Sequence, residues 1–281
     1  MSEVLIQADE LAEQLRSGAS RVALLDVRWA LGDPNGRLHY LDGHLPRAVF
    51  VDLDAELAAP PDSARGRHPL PDIDALQAAA RRWGICHADP VVVYDATGNT
   101  AAARAWWLLR WAGCADVRML DGGLGAWLRS GGAIERGDVL PARGDVVLIG
   151  GHLPVLDDDD AAALAREGVL LDARAAERYR GEAEPVDPRA GHIPGARSAP
   201  TTENLDADGA FRPAGQLRER FAALGAAPGA AVGAYCGSGV SAAHEIAALA
   251  IAGVDAALYP GSWSQWSADP RRPAATGPAA G

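Results

Sequence analysis

Lysine is absent: all 26 basic side chains of the 281-residue chain are arginine. That excludes Schiff-base chemistry, a pyridoxal phosphate anchor and the phosphate-binding lysine of a Walker-type loop. Cysteine is scarce. Cys86, Cys114 and Cys236 are too few and too scattered for a disulfide scaffold, and no C-x-x-C pair suggests a structural zinc. A reducing compartment fits this usage best. No apolar run approaches the ~18 residues of a membrane span, and Met1-Ser2-Glu3-Val4 is acidic where a secretion signal would be basic. A soluble cytoplasmic protein is therefore expected. Positive charge is also in deficit, because 26 basic groups against 37 acidic ones leave a net charge of −11. That is the wrong sign for a protein whose affinity comes from neutralising phosphates, so neither nucleic acid nor an anionic membrane is an expected partner.

What is present is a globular composition, 48% hydrophobic and 22% charged, on a chain long enough for two domains at about 150 residues each. The chain repeats itself. Leu24-Leu25-Asp26-Val27-Arg28 is echoed by Leu170-Leu171-Asp172-Ala173-Arg174, and Gly43-His44-Leu45-Pro46 by Gly191-His192-Ile193-Pro194. The run 91–95 matches 231–236 at its tyrosine, and 122–127 matches 261–266. Four echoes in the same order, offset by 139 to 148 residues, mean two copies of one domain that differ by loop insertions.

Within each copy, short apolar runs (23–27, 91–94, 169–172, 231–235) alternate with longer helical stretches, the pattern of α/β units around a parallel sheet. The clearest helices are 101–112 and 242–252, ending at Gly113 and Gly253. The Gly- and Pro-rich stretch 136–154 reads as the linker. The acidic run 157–160 reads as a helix N-terminal cluster favoured by the macrodipole rather than a metal site. The expected division is 1–143, 144–270 and a disordered tail over 271–281.

Cys236 stands at the end of a strand and is followed by Gly237-Ser238-Gly239-Val240-Ser241 and a helix. A loop curled in this way aims successive backbone N–H groups at one point, and the helix N-terminus adds its partial positive charge. Both favour an anionic sulfur, and with partial exposure such a thiol becomes a nucleophile. Cys86 and Cys114 have no such glycine loop and read as small buried hydrophobes.

These motifs together resemble the tandem-domain sulfurtransferases of the rhodanese and 3-mercaptopyruvate sulfurtransferase superfamily, over nearly the whole chain. The resemblance implies an α/β protein of two tandem rhodanese-like domains, each a parallel sheet flanked by helices. The second would be catalytic through Cys236 and the first silent, with Asp95 standing where Cys236 stands. It implies a persulfide on Cys236, an acceptor that is a thiol (thioredoxin among them) or cyanide, and no metal or organic cofactor. The Cys-Gly-Ser-Gly-Val pattern is that of the mercaptopyruvate enzymes, whereas thiosulfate-preferring relatives carry basic side chains in this loop.

On the same resemblance, Ser238, Asp52 and His68 form a polar relay beside Cys236, with Asp52 and His68 supplied by the first domain. Gly237, Gly239, Val240 and Ser241 line the donor site, and Arg178 binds the donor carboxylate. The family's second arginine has no ungapped match, because Asp187 falls at that register; Arg189 would replace it by a loop shift. Ser241 stands where threonine is usual, and Arg47 replaces a glycine. Thiosulfate is the alternative donor, and a non-catalytic sulfur-binding or regulatory module the alternative of another class. A phosphatase of this fold is disfavoured, since position 242 is alanine where such an enzyme carries arginine, and the loop is one residue too short to cradle a phosphate.

Overall fold

A computed structural model describes residues 4–18 and 21–281; residues 1–3, on which the expectation about a leader rests, lie outside the described residues. The chain forms two compact units. The first comprises Met1–Ala59, Pro71–His152 and Ala207–Phe211, the second Pro60–Leu70, Leu153–Asp206 and Arg212–Gly281.

Unit 1 runs β1 (Leu5–Ile6), α1 (Ala8–Ser17), β2 (Ala23–Asp26), α2 (Gly36–Asp42), β3 (Val49–Phe50), α3 (Leu53–Glu56), α4 (Ile73–Arg82), β4 (Val91–Tyr94), α5 (Ala102–Trp111), β5 (Val117–Leu120) and α6 (Gly123–Arg129). Its strands form a parallel sheet in the order β1-β5-β4-β2-β3. Unit 2 runs α7 (Asp158–Glu167), β6 (Val169–Asp172), α8 (Ala176–Tyr179), β7 (Arg197–Ser198), α9 (Ala214–Ala223), β8 (Val232–Tyr235), α10 (Val240–Ala252), β9 (Ala257–Leu258) and α11 (Ser262–Ala268), with a parallel sheet ordered β7-β6-β8-β9. Central strands β2, β4, β6 and β8 are buried along their whole length, as parallel strands covered by helices on both faces must be. α5 packs on β4 and β5, α7 on β6 and β8, and α10 on β8 and β9.

Each sequence echo has a structural cause. Arg28 pairs with Asp26 (2.7 Å) and donates to Gly43 O; Arg174 pairs with Asp172 (2.6 Å) and donates to Gly191 O. The Asp-x-Arg motif thus pins the Gly-His loop to the end of a central strand. His44 stacks on Tyr40 and His192 on Tyr179, at 4.2 and 3.8 Å between ring centres. The echoed tyrosines accept from the same loop: Leu45 N–H donates to Tyr94 Oη (3.0 Å) and Ile193 N–H to Tyr235 Oη (3.1 Å). Trp127 and Trp266 each donate through Nε1 to the segment that follows them, at Ala133 O and Pro273 O. The echoes are therefore scaffold: buried polar groups that satisfy one another.

Three expectations are corrected. The division is not a single cut near residue 143, because residues 60–70 pack within unit 2, where Arg67 N–H donates to Ser264 Oγ (3.0 Å) and Gln265 Nε2 to Ala64 O (2.9 Å). Residues 207–211 likewise belong to unit 1, with Phe211 N–H donating to Asp121 Oδ1 (2.9 Å). The stretch read as a linker packs on unit 1 as far as His152: Gly144, Ile149 and His152 donate to the carbonyls of Arg81, Ala112 and Trp111, and Val146 and Leu148 are buried. The tail is ordered. His192 and Ala275 exchange two backbone hydrogen bonds, and Gly277 N–H donates to Arg180 O. A loop that has already fixed Gly191 and His192 presents free backbone groups, and the tail satisfies them.

The acidic run does cap α7, with Asp157 and Asp160 in a reciprocal capping box. Among the described residues no helix is long and apolar enough to cross a membrane.

Candidate active site

β8 ends at Tyr235 and α10 begins at Val240, two residues earlier than its apolar pattern suggests, so the intervening loop is only Cys236 to Gly239. The turn is tight because Gly239 adopts φ 81°, a left-handed conformation that costs glycine little. This curl brings Gly239 N–H to Cys236 Sγ at 3.1 Å, a backbone donor aimed at the sulfur beside the N-terminus of α10. Gly237, Ser238, Gly239 and Val240 are all buried, and Ser241 is half-buried. Cys236 itself is only 3% exposed, against the partial exposure expected of it. Two guanidiniums lie beside the next residue of the loop: a Cβ at position 237 would come within 3.1 Å of Arg67 Nη2 and 3.5 Å of Arg178 Nη1.

The turn into α11 holds the loop from the other side. Ser262 Oγ accepts from Cys236 N–H (3.1 Å) and donates to Tyr259 O (2.9 Å), while Trp263 and Ser264 N–H donate to Cys236 O and Gly237 O, both at 2.9 Å. Ser262 is fully buried at φ 55°, a backbone conformation costly for a residue with a Cβ. Its counterpart in unit 1 is Gly123 at φ 53°. A serine sits in the glycine conformation only in the copy with the cysteine, where its hydroxyl has that cysteine's N–H to hold.

His68 Nδ1 lies 2.7 Å from Ser238 Oγ, so these two predicted residues are brought together. His68 belongs to unit 2, not to the first domain. Asp52 belongs to unit 1, where it is exposed and its carboxylate caps α3 by accepting from Ala55 N–H (3.0 Å).

Arg178 pairs with Glu184 (2.6 Å) and with Asp187 Oδ2 (3.2 Å). Arg67 Nη1 pairs with Asp187 Oδ1. Arg189 is not placed for a donor carboxylate: its guanidinium donates to the carbonyls of Trp266, Ser267, Asp269 and Arg272 at 2.7 to 2.9 Å. Here it ties the Arg189 segment to the end of α11.

Sequence reasoning missed Arg67, Ser262, Ser264 and Glu184. Ser262 and Ser264 carried a signal, since they stand where the otherwise echoed first copy has Gly123 and Gly125. Arg67 carried none, because its approach depends on a long-range packing of residues 60–70.

The matching loop of unit 1 shows what such a loop does with an anion. Asp95 is fully buried and accepts N–H donors from Thr97, Asn99, Ala101 and Ala102 at 2.8 to 3.1 Å. Burial pushes its carboxyl above the usual carboxylate range, while those four donors pull it back. Unit 1 thus fills its loop with its own side chain. Cys114 is half-buried, with its thiol pushed up to about 11 by desolvation, consistent with an inert role.

Comparison with known proteins agrees with this duplicated architecture. The rhodanese-like domain family matches residues 7–130 and again 157–269. A Mycobacterium tuberculosis protein provisionally named a thiosulfate sulfurtransferase, SseB, is 51% identical over 283 residues, covering 99% of this chain and 98% of that protein. A Pseudomonas aeruginosa protein provisionally named a 3-mercaptopyruvate sulfurtransferase is 46% identical over 285 residues, covering 98% of this chain and 99% of that one. Among solved structures, SseA from Escherichia coli, described under the rhodanese fold and catalytic mechanism of 3-mercaptopyruvate sulfotransferases, superposes with a TM-score of 0.82 at 32% identity, over 93% of this chain and 99% of that chain. One domain family found twice, in relatives aligned end to end, means that this chain belongs to the rhodanese-like family as one of its tandem-domain members.

Proposed function

We propose that the protein is a sulfurtransferase that moves a sulfane sulfur from 3-mercaptopyruvate, through a persulfide on Cys236, to a thiol or cyanide. In the first step the Cys236 thiolate attacks the donor sulfur. The carbon–sulfur bond breaks, its electron pair passes into the enolate of pyruvate, and that enolate takes up a proton. In the second step an acceptor thiolate attacks the outer sulfur of the persulfide, the sulfur–sulfur bond breaks, and the Cys236 thiolate returns. Cytoplasmic thiols, thioredoxin included, are the acceptors this chemistry suits.

The single observation that carries the donor is Ser238 Oγ hydrogen-bonded to His68 Nδ1 at 2.7 Å, within two residues of Cys236. A departing enolate needs a hydrogen-bond donor and a proton at its oxygen or carbon, and a hydroxyl backed by an imidazole supplies both. Sulfite, the leaving group of thiosulfate, needs neither. Gly239 N–H at Cys236 Sγ supports stabilisation of the anionic sulfur in both steps.

Thiosulfate remains a second reading on two specific observations. The guanidiniums of Arg67 and Arg178 flank Gly237 where the sequence led us to expect an uncharged loop, and one relative at 51% identity is named for thiosulfate. Steady-state assays with both donors on one preparation decide between them: kcat/KM is expected to favour mercaptopyruvate, and a preference for thiosulfate would exchange the readings. Cys236→Ser is expected to abolish transfer with either donor. Mass spectrometry after donor incubation should place one added sulfur on Cys236 of the wild type; sulfur on Cys86 or Cys114 instead would overturn the mechanism.

A further inference from the structure

The rim of the Cys236 loop holds a cluster of ion pairs. Arg67, Arg174 and Arg178 face Asp172, Glu184 and Asp187, three cations against three carboxylates. Asp172 and Arg174 belong to the scaffold that pins the Gly-His loop. Glu184 is locked by its own backbone, since Val186 and Asp187 N–H both donate to its Oε1 at 3.1 and 3.0 Å. Asp187 is different. Its side chain, 2% exposed, spans the gap between the two guanidiniums nearest the loop, with one carboxylate oxygen on Arg67 and the other on Arg178. Beside it, Arg67 Nε is buried with no acceptor among the described residues, and a cavity of about 310 Å³ opens between Arg67, Asp187, Val186, Pro188 and Ser264.

A carboxylate bridging two arginines beside a reactive sulfur has the geometry in which an anionic donor would itself be held. We propose that Asp187 is an internal competitor for the anionic head of the sulfur donor: it occupies the seat between Arg67 and Arg178, and a donor binds by displacing it. The inference rests on the sulfur-transfer reading of Cys236.

With Asp187 seated, the cluster has no surplus positive charge to offer. A tethered carboxylate also competes at a high effective concentration. Burial pushes the Asp187 carboxyl upward despite the pull of Arg67 and then Arg178, so its ion pairs recover only part of its desolvation and exchange is not costly. Asp187 thereby sets specificity: it weakens binding of every anionic donor and disfavours a dianion most.

The test is alkylation of Cys236, read by mass spectrometry, with iodoacetate as an anionic probe and iodoacetamide as a neutral one. Asp187→Asn keeps the shape and removes the charge. It is expected to raise the iodoacetate-to-iodoacetamide rate ratio about tenfold and to lower KM for both mercaptopyruvate and thiosulfate by a similar factor, because one competing charge is gone. A merely structural residue would change both alkylation rates together. An unchanged or lowered ratio overturns the proposal.

Wild type provides a measurement that needs no variant. Its ratio should match that of glutathione, because the seat is filled; a strong preference for iodoacetate over that reference means an open seat and also overturns the proposal. Alkylation requires no sulfur transfer. A raised ratio in a protein that transfers sulfur from neither donor would support Asp187's role and refute the function proposed above.

Discussion

At the scale of the residue, the contact between Ser238 and His68 makes two donors distinguishable by one substitution. Ser238→Ala removes a hydroxyl that only an enolate leaving group uses, so kcat with mercaptopyruvate is expected to fall about 10²-fold while kcat with thiosulfate changes little. Iodoacetamide alkylation of Cys236 should be unaffected, which separates loss of proton transfer from damage to the loop. Equal losses with both donors would show that Ser238 shapes the loop instead. The Ser238 hydroxyl was legible in the sequence as part of the Cys-Gly-Ser-Gly-Val pattern. The two arginines beside it were not equally so: Arg178 matched a motif, but Arg67 reaches Gly237 through a chain segment more than a hundred residues away in sequence, and no local pattern encodes that approach.

At the scale of the element, α10 carries the Cys236 loop at its N-terminus and a buried carboxylate in its second turn. Glu245 is fully buried, accepts from Asn204 Nδ2 (2.6 Å) and pairs with Arg220 (3.2 Å), which also faces Glu203. Burial outweighs Arg220 and lifts the Glu245 carboxyl from 4.5 to about 7. Between those values the folded chain holds a proton that the unfolded chain has released. The stabilising contribution is therefore full below the unfolded value and is lost as the pH rises through the folded one. The loss is on the order of 3 kcal/mol. Glu245→Gln keeps the shape and cannot titrate, so its urea unfolding free energy should fall less than the wild type's between pH 5 and pH 8. Parallel curves would place the titration elsewhere. Strands and helices were readable from apolar runs, because a covered parallel strand must be apolar throughout. The start of α10 was read two residues late, since Val240 and Ser241 look like loop until Gly239 turns left-handed.

At the scale of the whole molecule, duplication gives each unit the same Asp-x-Arg, Gly-His-x-Pro and tryptophan scaffold, with a cysteine at the end of the central strand in the second and an aspartate there in the first. The two scaffolds close differently. In unit 2 the chain end completes the fold: Arg272 lies 5.1 Å over Trp266 and pairs with Asp158 and Asp159, His192 and Ala275 exchange backbone hydrogen bonds, and Tyr179 Oη donates to Ala279 O. Ending the chain at Pro270 removes these together with the hydrogen bonds from Trp266 to Pro273 O, Arg189 to Arg272 O and Gly277 to Arg180 O, and is expected to destabilise it by about 6 kcal/mol, roughly one for each hydrogen bond lost, with a markedly lower thermal midpoint. Calorimetry of the truncated chain checks this, and an unchanged midpoint would mean that the segment contributes nothing. Its composition of Pro, Ala, Gly and Arg resembled a disordered tail, because composition reports only what a segment can bury by itself.

The sequence by itself determined the fold class, the doubling, the strand-loop-helix around Cys236 and the place of Asp95 at the matching turn, because each is carried by residues close in sequence within one copy. Tertiary structure alone decided that residues 60–70 pack with the second unit and that Ser262 and Ser264 clamp the loop. It also decided that Arg189 holds backbone carbonyls and that Asp187 sits between two arginines. These are contacts between side chains and backbone groups brought together only when the sheet has formed. A guanidinium has the same formula whether it meets a carbonyl, a carboxylate or a substrate, and which of them it meets is settled by the packing around it.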